Sequence, residues 1–487
     1  MKIKFQFQHT LFILVILLII PSCAINPVTG KKQLMLISES QEAAMGAEYD
    51  PQVIATFGLY GNEQLTKLLN EKAAEMGKIS HRPNVNYHVK IVDSPVVNAF
   101  AVPGGYIYFT RGILAQFNNE AELVGVLGHE MGHIAARHTA SQQSKQQLGQ
   151  LLLVGGMIAS EKFREFGNYA MQGMQLLFLK FSRDNESQSD ELGVEYSSKI
   201  GYDAHKMANF FNVLKQMQMS SEQGGVPTFL STHPDPADRY YAVNGLANIW
   251  QDSLKQTNWK VEENEYLRMI DGLVYGEDPR QGFVENSVFY HPEMKFSYPI
   301  PAGWQLQNSP IQVQMAPADG KALIVFSLST QKTPEEALKK NLEDLNLTPI
   351  DSKNITVNGF PAIVSVSKQV SQDQQTGQEQ TIMVMSYYID YNDVIYTFLG
   401  VAEEADFGSY TPAFESTMKG FKRLTDASKL NIQPKRIKIQ EVQRVGTARE
   451  VLSSFDVPAS QLSEVALLNE VNLTDQLKRG TLVKVVR

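Results

Sequence analysis

The stretch AELVGVLGHEMGH, residues 121–133, combines an apolar helical pattern with two histidines four residues apart. Residues at i and i+4 lie on one face of an α-helix, so His129 and His133 can direct their imidazoles at a single ion. Glu130 is turned from His129 by about 100° around the helix, which places its carboxylate beside an open position of that ion. The pattern predicts a metal-binding helix with a domain built around it.

These residue types also indicate a chemistry. Zinc bound by imidazoles lowers the pKa of a water molecule to about 7 and polarises a peptide carbonyl, so a nearby carboxylate is sufficient as general base. Glu130 is the candidate for that base. A catalytic zinc keeps three protein ligands and one open position, so one Zn²⁺ per chain requires a third donor elsewhere. The alternative is a pair of histidines on a helix surface that bind no metal.

Two nearby candidates for the third donor are set aside. The metzincin spacing would need a histidine at position 139, which is Thr139, so that class of peptidase is excluded. His138 follows His133 by five residues, which directs it to another side of a continuous helix. We therefore expect His138 at the surface of the protein.

A later segment supplies the remaining candidates. The stretch RDNESQSDELG, residues 183–193, places Glu186 and Asp190 four residues apart on a predicted helix. One carboxylate can then bind the ion, while the other accepts a hydrogen bond from a ligand histidine. Taken alone, these acids could equally be a solvated helix face.

The order of the motifs resembles the Ste-type, CaaX-protease-like zinc metallopeptidases, whose soluble bacterial members guard the outer membrane. The resemblance covers about residues 35–250 and rests on four motifs: NAFAVPGG at 98–105, HEMGH at 129–133, the E-x-x-x-D of Glu186 and Asp190, and STHP at 231–234 with Arg239. It implies zinc ligation by His129, His133 and Glu186, a general base in Glu130, and a supporting or proton-donating carboxylate in Asp190.

Substrate contacts also follow from the resemblance. The segment from residue 98 is similar to an edge strand beside the cleft, which would hold an extended peptide by main-chain pairing. The implied substrate-binding residues are Asn98, Ala99, Phe100, Ala101 and Arg239. His233 matches a catalytic histidine that either stabilises the oxyanion or, in self-inhibited members, caps the zinc. The alternative for a histidine before a proline is a residue of an ordinary turn.

The N-terminus predicts export and lipidation. Two lysines precede an apolar run at residues 11–20, which is too short to cross a bilayer and is typical of a signal peptide over residues 1–22. The sequence IPSC at residues 20–23 resembles a bacterial lipobox, so we expect a lipid on Cys23, the only cysteine. A buried cysteine of no consequence is the alternative. Ala24 is not the aspartate that retains lipoproteins at some inner membranes, which favours the periplasmic face of the outer membrane.

The expected fold class is α+β. A mostly helical, gluzincin-like peptidase domain with a small β-sheet is predicted first, then a β-rich α+β domain similar to the PsbP/Mog1-like fold, and last a small LysM-like βααβ module. That module would bind peptidoglycan or serve as a structural cap. An apolar, methionine-rich segment at 151–177 is core or a mobile lid. The expected boundaries are 23–37 for an anchor and linker, 38–270, 284–425 and 436–487.

Two functions from different classes are compatible with these patterns. The first is a lipid-anchored zinc endopeptidase that cuts misfolded or misassembled envelope proteins. The second is an envelope chaperone or peptidoglycan-binding scaffold whose zinc site is structural or closed by His233. A net charge of −8 over 487 residues gives no electrostatic footprint for nucleic acid, so that partner is excluded.

Overall fold

The computed structural model describes residues 23–148, 180–220, 228–233, 239–372 and 379–487. The predicted signal peptide, residues 1–22, and the apolar segment 151–177 lie outside these residues. Within the described ranges, no helix has both the length and the apolar character needed to cross a membrane. The chain mixes helices and strands, as expected, with most helices before residue 270 and most strands after residue 283.

The first region, residues 23–270, holds a small sheet among many helices. Its strands are β1 (Cys23–Ile25), β2 (Lys32–Leu34), β3 (His88–Val92), β4 (Ala99–Val102) and β5 (Tyr106–Thr110). Its helices are α1 (Glu39–Phe57), α2 (Glu63–Ile79), α3 (Arg111–Gln116), α4 (Glu120–Ala135), α5 (His138–Leu148), α6 (Arg183–Lys199), α7 (His205–Ser220), α8 (Thr228–Thr232), α9 (Arg239–Leu254) and α10 (Glu263–Met269). β5 pairs in parallel with β3 and antiparallel with β4, so β4 is an edge of this sheet.

Helix α4 runs through the core of this region. Asn119 accepts a hydrogen bond from the backbone of Glu122 and caps the start of the helix. Every residue of α4 is buried. A Cβ added to Gly128 would stand 3.0 Å from the carbonyl oxygen of Gly193, so α4 and α6 cross in close contact where both have glycine. This crossing brings the histidines of α4 beside the acids of α6.

Residues 23–37, expected to be an anchor and linker, are folded against the rest of the first region. β1 and β2 form an antiparallel hairpin. Asn26 donates a hydrogen bond to the carbonyl oxygen of Ala136 at 3.3 Å. Ile37 is buried in an apolar cluster with Ala140. These partners lie far along the chain, which is why local sequence patterns did not indicate them.

The second region is dominated by antiparallel strands. Its strands are β6 (Phe283–Glu285), β7 (Val288–His291), β8 (Phe296–Pro299), β9 (Gln305–Asn308), β10 (Gln312–Ala316), β11 (Ala322–Ser329), β12 (Thr348–Val357), β13 (Phe360–Gln372), β14 (Glu379–Tyr391), β15 (Val394–Glu403) and β16 (Lys422–Arg423), and its helices are α11 (Pro334–Asp344), α12 (Glu404–Lys419) and α13 (Ala427–Leu430). A seven-stranded sheet has the order β12-β13-β14-β15-β11-β10-β9, and a four-stranded sheet has the order β16-β8-β7-β6. The expected β-rich region is confirmed.

The C-terminal region, residues 436–487, has two helices between strand pairs. Its elements are β17 (Ile437–Glu441), β18 (Gly446–Thr447), α14 (Ala448–Ser454), α15 (Leu462–Leu468), β19 (Gln476–Leu477) and β20 (Leu482–Val486). β17 pairs with β20 and β18 pairs with β19, both antiparallel. The likeness of this module to LysM stays a prediction.

The C-terminal module shares its packing with the first region. Ile437 and Leu468 belong to the same apolar core as helix α4. The fully buried Lys484 donates from Nζ to the carbonyl oxygens at the end of α3, at 3.0, 3.1 and 3.1 Å. The acceptors of these three bonds are Ala115, Gln116 and Phe117. Strand β20 therefore caps a helix of the first region.

Candidate metal centre

Three helices bring four potential metal ligands together. His129 and His133 lie in α4, Glu186 lies in α6, and His233 directly follows α8. One donor atom of each residue lies within 4.8 Å of the others, and all four side chains are buried. The expected ligands His129, His133 and Glu186 are therefore adjacent, and His233, expected to be catalytic, lies within the same cluster.

The spacing of the donor atoms fits a tetrahedral ion. His129 Nε2 lies 3.1 Å from His133 Nε2 and 3.4 Å from Glu186 Oε2. His133 Nε2 lies 3.5 Å from Glu186 Oε1. Tetrahedral ligands at about 2.0–2.1 Å from zinc are about 3.3 Å from one another, and imidazole and carboxylate are donor types that zinc accepts. The residues fit a zinc ion in both spacing and chemistry.

The electrostatics of the cluster also favour a cation. Burial alone would raise the pKa of Glu186, but the electrostatic interaction with His233 and hydrogen bonds from His129 and His233 hold that pKa well below its ordinary value. Burial lowers the pKa of His133 well below its ordinary value. An ionised carboxylate and a neutral imidazole are the forms that bind metal.

His129 is supported by Asp190 on the side away from the cluster. His129 Nδ1 donates to Asp190 Oδ1 at 2.9 Å, which turns Nε2 toward the other ligands. Arg239 donates twice to the same carboxylate, from Nε to Oδ2 at 2.7 Å and from Nη2 to Oδ1 at 2.6 Å. Burial alone would lower the pKa of His129, but hydrogen bonds with Asp190 and Glu186 outweigh burial and raise the pKa to about 9. The position therefore favours a positive charge, either a proton or a metal ion.

His133 is supported by His138, and the expectation of a surface position for His138 is wrong. His138 is buried, with its Nδ1 3.0 Å from His133 Nδ1 and its Nε2 2.9 Å from Gln188 Oε1. The expectation assumed a continuous helix, but α4 ends at Ala135 and Arg137 has a φ of 60°. Because the chain turns at Arg137, the imidazole of His138 faces back toward α4.

Glu130 lies beside the cluster. Both of its carboxylate oxygens are buried, and neither has a hydrogen-bond partner among the described residues. Its Oε1 is 3.7 Å from His233 Nε2. Burial raises the pKa of Glu130, although His233 and His129 oppose the rise. A buried carboxylate without a hydrogen-bond partner lowers the stability of the folded protein. At this position the carboxylate can accept a proton from a reacting molecule.

The residues expected to bind substrate fall into two groups. Residues 98–101 lie at the start of the edge strand β4, and their side chains are buried, so main-chain pairing is the way this strand could hold a peptide. Thr232, next to His233, donates to Asn98 Oδ1 at 3.4 Å and ties this strand to the cluster. Arg239 instead lies behind His129, where it holds Asp190. For Arg239 we therefore infer a supporting role.

Two aromatic residues that sequence reasoning missed pack against the cluster. The Phe181 ring stacks on His133, with ring centroids 4.0 Å apart, and the Phe229 ring stacks on His233 at 4.5 Å. Both side chains are buried. Each phenylalanine stands within a few residues of a motif that supplies a ligand, and this proximity was the available signal. The two rings hold the imidazole planes and exclude water from one side of each.

Similarity to known proteins covers this same part of the chain. Residues 61–247 match the sequence model of Peptidase family M48. The prediction of a metallopeptidase is confirmed by this match together with the four buried ligands.

The curated relatives are peptidases by name. The beta-barrel assembly-enhancing protease of Yersinia pestis is 28% identical over 241 residues, which are 47% of this chain and 49% of the relative. The protein of the same name in Escherichia coli (strain K12) is 26% identical over 48% of this chain and 49% of its own. The mitochondrial metalloendopeptidase OMA1 of Arabidopsis thaliana is 31% identical over 36% of this chain and 34% of its own. The matches thus span about half or less of each relative.

Similarity to solved structures is weaker. The Ran-binding protein Mog1p of Saccharomyces cerevisiae aligns with 30% of this chain and 99% of its own, at 12% identity and a TM-score of 0.24. A PsbP from Synechocystis aligns with 29% of this chain and 96% of its own, at 11% identity and a TM-score of 0.23. These scores do not establish a shared fold, so the PsbP/Mog1-like assignment of residues 284–425 stays a prediction.

Proposed function

We propose that this chain is a lipid-anchored, zinc-dependent endopeptidase that hydrolyses peptide bonds of misfolded or misassembled cell-envelope proteins. The observation that carries the proposal is the convergence of His129, His133 and Glu186, with the Glu130 carboxylate beside them and without a hydrogen-bond partner among the described residues. Two histidines and a glutamate are the ligands of thermolysin-type zinc sites, which leave one coordination position for the reaction.

Each residue of the cluster has a separate task in the proposed reaction. His129, His133 and Glu186 would hold zinc, which when bound supplies Lewis acidity to a water nucleophile and to the peptide carbonyl. Glu130 takes the proton of the attacking water on its carboxylate. Because burial raises the pKa of Glu130, the carboxyl group can keep that proton until it is passed to the departing amine. Asp190 keeps His129 in the tautomer that presents Nε2 to the ion.

The peptide substrate would lie along β4. Main-chain pairing with residues 98–101 would hold an extended chain with little dependence on its side chains. This mode suits unfolded proteins of varied sequence. The relatives named beta-barrel assembly-enhancing proteases support a substrate among envelope proteins. A lipid on Cys23 would keep the enzyme at the periplasmic face of the outer membrane, where such substrates occur.

Metal analysis combined with a proteolysis assay tests the enzymatic part of the proposal. We expect the purified chain from Ala24 onward to contain one zinc ion, to cut unfolded casein, to lose this activity with a chelator, and to regain it with added zinc. Protein without zinc, or casein cleavage unaffected by chelator, would contradict the proposal.

Lipidation is tested separately in cells. Labelled fatty acid should be incorporated into the wild-type protein and absent from Cys23→Ser. Equal labelling of both proteins, or none of either, would remove the anchor from the proposal without affecting the zinc site.

The position of His233 favours a second candidate function. His233 Nδ1 lies 3.1 Å from each Glu186 oxygen and 3.3 Å from His129 Nε2. A fourth protein ligand would fill a tetrahedral zinc and give a structural or closed site, as in a chaperone, a peptidoglycan-binding scaffold or a self-inhibited peptidase. In that case the wild type should be inert on casein, and His233→Ala should release activity or change nothing. If His233→Ala destroys an existing activity, His233 acts on the oxyanion instead.

A further inference from the structure

The two histidines of α4 differ in the groups that support them. His129 is backed by a carboxylate, Asp190, which is itself paired with Arg239. His133 is backed by another imidazole, His138, whose side chain is 3% exposed. The sequence motifs assign no role to His138.

The hydrogen-bond chain through His138 has a defined direction if His133 binds a cation through Nε2. His133 Nδ1 then carries the proton and donates it to His138 Nδ1, 3.0 Å away. With Nδ1 as acceptor, the neutral His138 carries its own proton on Nε2, which donates to Gln188 Oε1 at 2.9 Å. Gln188 thus fixes the tautomer of His138, and His138 fixes that of His133.

The opposite direction is incompatible with a ligand at His133 Nε2. If the Gln188 amide nitrogen donated to His138 Nε2, His138 Nδ1 would carry a proton and His133 Nδ1 would have to accept it. The proton of His133 would then stand on Nε2, within 3.1 Å of His129 Nε2 and 3.5 Å of Glu186 Oε1. The hydroxyl of Ser189 lies 3.3 Å from His138 Nδ1 and can donate or accept, so it is compatible with either direction.

We propose that His138 is a positioning residue that holds His133 in its metal-binding tautomer and ring orientation through a neutral acceptor, and that Gln188 orients His138. The ring planes of His133 and His138 are 73° apart, and Phe181 stacks on His133, so the ligand ring is fixed by an edge contact and a face contact. The proposal rests on zinc binding by His133, which is part of the proposed function. Its new element is a difference between the two ligand histidines: Nδ1 of His129 is bound to a carboxylate, whereas Nδ1 of His133 is bound to an imidazole.

A matched pair of substitutions separates the acceptor from simple packing. His138→Asn and His138→Leu remove the same ring and leave side chains with the same number and branching of heavy atoms, but only asparagine keeps an acceptor near the position of Nδ1. We expect His138→Leu to weaken zinc binding by about 10–100-fold and His138→Asn to recover most of that loss. The measurement is the zinc dissociation constant from competition with a chromophoric chelator, together with the visible spectrum of the cobalt-substituted protein. His205→Leu, in α7 and outside the cluster, is the control.

The outcomes distinguish this proposal from the function on which it rests. If the wild type binds no zinc, or His133→Ala binds zinc as tightly as wild type, the proposed function fails first. If the wild type binds zinc through His133 and both His138 variants weaken it equally, or neither does, only the role of His138 is overturned. A similar melting temperature for the two variants, with different zinc affinities, is the expected result.

Discussion

The peptidase region and the seven-stranded region bury very different side chains. Around α4 the interior contains His129, Glu130, Glu186 and Asp190, all with little or no exposure. In the described part of residues 284–425, the buried polar side chains apart from tyrosine are serines, threonines and glutamines, and the core is aromatic. Burying ionisable groups costs free energy unless they are paired or bind a metal. The first region buries ionisable side chains that can bind a metal and transfer protons, although their burial lowers its stability. The second region buries mainly apolar and aromatic side chains, which stabilise it by packing.

The largest effect on proteolysis should come from Glu130→Gln. The amide cannot take a proton from water, so we expect a loss of about 10²–10⁴-fold in kcat, while zinc content stays that of wild type. Steady-state peptide cleavage and metal analysis of the same preparation provide the measurement. Cleavage at the wild-type rate would remove Glu130 from the mechanism.

A smaller effect should follow from Asp190→Asn. Without the negative charge, His129 loses its anionic partner at Nδ1 and Arg239 loses the nearer of its two carboxylates, so we expect zinc affinity to fall by about 10–100-fold. Chelator competition measures this change. Glu191→Gln, at the next and exposed position of α6, should leave the affinity unchanged. Equal zinc affinities for Asp190→Asn and wild type would contradict the supporting role of this carboxylate.

Lys484→Met should act mainly on stability. The substitution removes the buried donor to the carbonyl oxygens of Ala115, Gln116 and Phe117, at a cost of about 3–5 kcal/mol in the free energy of unfolding. Proteolysis by the folded fraction should fall less than in Asp190→Asn. Denaturant unfolding of this variant and of Lys478→Met, an exposed lysine of the same module, provides the comparison. Equal unfolding midpoints for the two variants would show that the bonds from Lys484 do not stabilise the contact between the C-terminal module and the first region.

The smallest effect on proteolysis should come from the aromatic core of the second region. Phe398 is fully buried among other aromatic rings, so Phe398→Ala should destabilise that region by about 3–5 kcal/mol. Under conditions where the protein is folded, casein cleavage and zinc content should match wild type. A loss of zinc in the folded Phe398→Ala protein would show that the metal site depends on the core of the second region.

The parts of the site that sequence could predict are those set by local geometry. The i, i+4 spacings within α4 and α6 required only that each segment be helical. Glu186 as the ligand rather than Asp190 came from the resemblance, because spacing alone allowed either carboxylate. The surface position predicted for His138 was wrong because the helix does not continue through Arg137. Arginine rarely has a positive φ, so no residue pattern indicated the turn there.

Contacts between distant segments were beyond the reach of sequence patterns. The hairpin at residues 23–37 is held by groups after α4, and the C-terminal module completes the core of the first region. Such contacts depend on how elements come together in three dimensions, while periodicity reports only on each element by itself. The sequence pattern changes at the expected boundary, residue 436, but the residues after it pack into the same core as the first region.

The bonds from Lys484 to α3 have a consequence for how the enzyme matures. They join positions separated by 367 to 369 residues, so the end of α3 acquires these contacts only after β20 has been synthesised. Closing so long a loop costs conformational entropy before the contact can stabilise the fold, which makes this step of folding slow. A chain cut before β20 would leave the carbonyl groups at the end of α3 without this donor.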